Sequence, residues 1–232
     1  DLIATTGNIS LMSGAQPTIV GDVTTPGAFS SSGGGTFSTA AGTLIDAANV
    51  ILAHTGAVTI NTAVMLSGDF DSGGAGGFSV TSTGSLDVGG HVALTHDGAV
   101  SLSGPIDAGT SFSSIGAGTF ALNANGDITA VTTATINHQG TVTFADSLTA
   151  ASVAITSTST SSVAVSDSST NAIITATTGN LEITSSGGIS IDQGALRATL
   201  GTIDLSAGAQ LVVLKEATAG TNFESSGTGG FT

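Results

Sequence analysis

The end of this chain repeats its beginning, and that constrains its fold more than any other feature. Residues 195–232 align with residues 1–38 without a gap, and 16 of the 38 pairs are identical. Leu2, Ala4, Thr5, Gly7, Ile9 and Leu11 fall on Leu196, Ala198, Thr199, Gly201, Ile203 and Leu205. Gly14, Ala15 and Gln16 fall on Gly208, Ala209 and Gln210, and Phe29 and Phe37 fall on Phe223 and Phe231. A fixed internal period marks a repeat architecture, in which each unit leans on its neighbours. The expected organisation is one continuous segment over 1–232. It comprises one tandem unit of about 194 residues, 1–194, and the start of the next, 195–232, as in a piece of a longer array.

A shorter period runs inside the long one. Phe29, Phe70 and Phe112 lie 41 and 42 residues apart, as do Phe37, Phe78 and Phe120. Each pair frames a Gly/Ser-rich box: FSSSGGGTF, FDSGGAGGF, FSSIGAGTF and, at 223–231, FESSGTGGF. Downstream, His54, His96 and His138 recur every 42 residues, and each opens an H-x-G-x-V-x-apolar string. The C-terminal third divides this period further. Gly179, Leu181, Ile183, Ile189 and Ile191 map onto Gly201, Ile203, Leu205, Leu211 and Val213 at a shift of 22. One coil is therefore about 21–22 residues, the 42-residue unit is two coils, and the 194-residue unit is about nine. A division into 14-residue pieces (Gly42 to Gly56) leaves little interior for the recurring Phe.

Within a coil the apolar period is 2. Val50 and Leu52, then Val58 and Ile60, have their equivalents in Val92 and Leu94, then Val100 and Leu102. Short alternating runs rich in β-branched residues and broken by Gly, Asn, Asp and Ser read as half-buried strands. Almost no helix is expected. Short strands at a coil-sized period imply an all-β parallel β-helix, or β-solenoid, in which the same strand of successive coils stacks. At about 4.8 Å per coil such a chain spans roughly 50 Å.

Charge narrows the partners. Two Lys/Arg against 16 Asp/Glu give a net charge of −14. Arg197 and Lys215 cannot neutralise a phosphate backbone, so nucleic acid is not an expected partner. No apolar run is long enough for insertion into a membrane. The acids are scattered singly along the chain, for example Asp22, Asp46, Asp87 and Asp97. Cysteine is absent, so stacking rather than disulfides must stabilise the fold.

The TTGNISL and TTGNLEI strands, the HTGAVTI-type strings and the Gly/Ser/Thr/Ala background resemble the repeat regions of giant bacterial surface proteins. These are the filamentous-haemagglutinin-like secreted adhesins and their relatives with long β-strand repeats. The resemblance implies a right-handed β-helical rod, exported to the cell surface as an extracellular fibre, adhesin stalk or surface layer.

The recurring residues invite chemistry, and each invitation meets an obstacle. His54, His96 and His138, with His91 near His96, suggest a metal ladder. Zinc needs three or four convergent ligands, and equivalents two coils apart stand about 9.6 Å from one another. The histidines are read instead as corner residues of the inward rows, and no cofactor is expected, with calcium as the one alternative left open. The Gly-rich boxes invite calcium, but the carboxylate of calcium-binding nonapeptides is missing between Gly33 and Phe37 and between Gly116 and Phe120. Phe29, Phe37, Phe70, Phe78, Phe112, Phe120, Phe223 and Phe231 are read as plugs of the interior. Thr156, Thr158 and Thr160 suit outward strand positions. Neither a cluster of acids nor a nucleophile elbow is visible, so no catalytic residue and no enzyme is expected. The expected role is a structural segment of a tandem-repeat bacterial fibre or surface layer. Its partners are copies of itself, end to end and laterally. The rival is an adhesin stalk or a glycan- or ice-binding module.

Overall fold

In a computed structural model, which describes residues 1–14, 16–166, 172–213 and 215–228, every strand pairing is parallel. Among the described residues there is no helix. The chain winds as a β-solenoid of about ten turns. Each turn contributes three strands to three ladders, so a typical coil reads, for example, Ala63–Leu66, Phe70–Gly74 and Phe78–Val80. In two early coils the first two strands run together through a bend, as Val23–Gly33 and Leu44–His54. That continuity fuses the first and second ladders into one 20-stranded sheet, and the third forms a separate 10-stranded sheet.

The burial pattern explains why these residues make these strands. Along Leu44–His54 and Val92–His96 buried and exposed positions alternate, so one face fills the core and the other meets water. Nine ladder steps carry Leu2 to Leu196, so the two ends of the 194-residue period occupy the same ladder place.

The coils are not uniform, however. Val50 pairs with Phe70, 20 residues on, and Phe70 with Val92, 22 on; Val92 to Phe112 is 20 and Phe112 to Ala134 is 22. The 42-residue period is therefore a short coil and a long one. A single wider coil breaks the rhythm: Leu148 pairs with Ile174 and Val153 with Leu181, steps of 26 and 28. Part of the excess falls between the strands Ser152–Ser157 and Val163–Val165.

Core volume accounts for the two-coil rhythm. In the second ladder the inward column runs Phe29, Val50, Phe70, Val92, Phe112, Ala134. Two residues further along it runs Ser31, Leu52, Ser72, Leu94, Ser114, Ile136. In the third ladder it runs Phe37, Val58, Phe78, Val100, Phe120, Val142. The first and third columns carry their rings in the same coils, where the second column is Ser, and the second column turns large in the coils between. Stacked coils lie only about 4.8 Å apart, and in these columns the rings occupy alternate layers. Alternation lets each ring spread over two layers. The later coils abandon this device: Val153, Leu181 and Ile203 stack on one another, as do Ile155, Ile183 and Leu205, all of intermediate size.

Candidate functional site

The recurring Phe and His residues converge inside the core. Phe29, Phe37, Phe70, Phe78, Phe112 and Phe120 are all buried. Within a coil the two rings meet at 6.4, 6.0 and 6.4 Å between centroids for Phe29–Phe37, Phe70–Phe78 and Phe112–Phe120. The last two pairs are edge-on, the orientation that a ring quadrupole favours. Phe223 lies on the last described coil and is 40 % exposed. Phe231 lies outside the described residues.

His54, His96 and His138 end the second-ladder strand of the coil that follows each Phe pair, and all three are buried. Each ring packs on the second Phe of the preceding coil, His54 on Phe37 at 5.5 Å, His96 on Phe78 at 5.4 Å and His138 on Phe120 at 5.6 Å. Each Nε2 meets a buried serine hydroxyl of that coil: Ser31 at 3.0 Å, Ser72 at 2.9 Å and Ser114 at 2.9 Å. His96 Nδ1 donates to the Gly76 carbonyl and His138 Nδ1 to the Gly118 carbonyl, both at 3.2 Å. Since a carbonyl only accepts, the proton sits on Nδ1, and Nε2 accepts from the serine. The Gly35 carbonyl stands beside His54 in the same way and favours its charged form, but His54 Nδ1 makes no hydrogen bond. Burial holds all three histidines below the usual imidazole range, and the glycine carbonyls oppose that in part.

The serine partners stand at a fixed place in every box, two residues after its first Phe, but nothing in the box alone marks them as histidine partners. The glycines have a packing reason. At Gly74 and Gly116 a Cβ would collide with the carbonyl oxygens of His54 and His96 in the coil before. The glycines thus admit the backbone of the His-bearing coil.

The outer surface divides by ladder. The third ladder's outward row is Thr18, Ser38, Thr59, Ser79, Ser101, Ala121, Thr143, Ala164 and Ser190, without a charge. The other faces carry acids that the winding brings together. Asp87 stacks directly on Asp107, and Glu182, Asp204 and Glu224 stack in succession. Residues scattered singly along the chain become neighbours because their separations match the coil. Asp127 is pushed above the usual carboxylate range, first by burial and then by the charges of Asp146 and Asp107. On the second face His91 bridges two carboxylates, Nδ1 to Asp69 at 3.0 Å and Nε2 to Asp71 at 3.1 Å.

The corners are tied by side-chain amides and carboxylates. Asn8 accepts from the Ala28 N–H at 2.8 Å, Asn49 from that of Asp69 at 2.7 Å, and Asn180 from that of Thr202 at 3.1 Å. Among the described residues no three His, Cys, Asp or Glu gather to hold a metal ion, and no helix is long and apolar enough to cross a membrane. A shallow groove on the second face is lined by Thr133, Thr135, Ser152, Asn180 and a single carboxylate, Glu182.

No family model, curated protein or solved structure matches the chain.

Proposed function

We propose that the chain is a structural segment of a long bacterial surface fibre or layer, lying outside the cell and continued by further copies of the same repeat. The observation that carries this reading is the unbroken run of parallel ladders with one continuous core. Such a body is stiff along its axis, and every added repeat extends it without new design. The Gly/Ser/Thr/Ala-rich repeats resemble filamentous-haemagglutinin-like adhesin repeats, which supports the placement on a cell surface. An acidic exterior with Ser/Thr rows keeps a long polymer hydrated.

A glycan- or ice-binding module calls for a regular, flat array of Thr or Asn. The row on the third face instead mixes Ser, Thr and Ala and is one residue wide. The residues that recur most strictly, Phe and His, face inward. This favours a spacer over a recognition face and over an enzyme. Antibody labelling and electron microscopy of intact cells that carry the protein test the proposal. Rods, or a wall of parallel rods, decorated on the outside are expected. Label confined to the cell interior, or on compact particles, would overturn it.

A further inference from the structure

The Ser–His pairs recur three times in the core, and a spacer does not need them: in the coils from Val153 to Leu205 no histidine is buried, the Phe and Ser columns are aliphatic, and buried Ser157 and Ser185 stand in the column of His138. In each pair the imidazole lies between a phenyl ring and a serine hydroxyl, out of contact with water. In His96 and His138 the serine bond is one-directional while the ring is neutral, because Nδ1 holds the proton and Nε2 accepts. A second proton would turn Nε2 into a donor, reverse that bond, and place a charge among Phe and aliphatic side chains. A ring face attracts a cation, but this offsets only part of the desolvation. Among the described residues Asp97, next to His96, is the one charged group acting on any of the three, and its effect is smaller than that of burial.

We propose that the three buried Ser–His pairs form an acid-sensitive latch: proton uptake by His54, His96 and His138 opens the coils over residues 29–144 and leaves the aliphatic coils after them closed. The sign follows from burial. An unfolded histidine takes up its proton near pH 6.5, and the folded ones resist until a lower pH. The latch is therefore fully stabilising above the ordinary histidine range and weakens as the pH falls toward the folded-state values. His91 lies on the surface between Asp69 and Asp71 and is not part of the latch.

Hydrogen exchange of the whole chain, corrected for intrinsic rates and run from about pH 7.5 to about pH 5.5, tests this. Loss of protection is expected at the ladder amides of 29–144, with the amides of 181–207 unchanged. Replacing all three histidines with Gln, which can still bond the serines but takes up no proton, is expected to abolish that loss. His91→Gln is expected to leave it intact. The proposal is overturned if the wild type keeps its protection throughout, if the loss spreads equally to 181–207, or if the triple Gln variant loses protection as the wild type does. Should the triple variant fail to fold, ring-nitrogen NMR of the wild type decides. Neutral Nδ1–H rings that persist until the coils open support the latch; three rings that titrate while the coils stay closed refute it.

Discussion

Truncating one aromatic plug measures how strictly the core depends on alternating volumes. Phe78 is 1 % exposed, meets Phe70 edge-on at 6.0 Å and carries the His96 ring at 5.4 Å. Phe78→Ala removes the ring from between Val58 and Val100, its neighbours above and below in the column. Burying a Phe that is then deleted costs about 3–5 kcal/mol. Both valines are short and held in place by ladder hydrogen bonds, so the gap cannot close by side-chain rearrangement. The loss of the edge-on pair contributes about 1 kcal/mol of the total. We expect a destabilisation of about 4 kcal/mol in urea melts. Coils couple chiefly to their neighbours, so hydrogen exchange should rise most at Val58, Phe78 and Val100 and least at Ile183 and Leu205. A loss under about 1 kcal/mol, or equal loss at both ends of the chain, would refute the reasoning.

Three further perturbations follow from the same geometry. Gly74→Ala drives a methyl into the His54 carbonyl, whereas Gly73→Ala in the same strand finds ordinary room; thermal melts should place the first below the second by about 2 kcal/mol or more. Asn49→Ala strips the acceptor from the Asp69 N–H and should cost about 1 kcal/mol in urea melts, with Asn49→Asp retaining most of it. Asp127→Asn removes first the cost of burying a charged carboxylate and then the repulsion from Asp146 and Asp107. Because the folded-state carboxyl is raised above its unfolded value, the stability it removes sets in as pH rises through the carboxylate range. The Asn variant should therefore melt higher than wild type at neutral pH, with the gain shrinking in salt and vanishing in acid.

Much of this fold was legible in the sequence because a solenoid turns spatial neighbours into a fixed sequence offset. The 22-residue shift from Leu181 to Ile203 is a true ladder pair, and the alternation at Val92 and Leu94 gives the inward face correctly. The inequality of the two coils was not legible. The Phe boxes return only once per two coils, so their period reports a total and not its division. Ser31, Ser72 and Ser114 are in plain view inside the boxes, but the boxes alone assign them no role. Their meaning depends on a histidine 23 or 24 residues away, which becomes a neighbour only once the register is known. The stacked acids Glu182, Asp204 and Glu224 were missed for the same reason.

The Phe/Val alternation counts in twos, but nine steps separate Leu2 from Leu196. Strict alternation through an odd number would put a ring against a ring at every junction between units. The aliphatic coils around Val153, Leu181 and Ile203 accept either neighbour, and after them Phe223 resumes the place of Phe29. They act as a parity reset. Natural or engineered length variants should therefore gain or lose a lone coil only within that stretch, and elsewhere change in pairs.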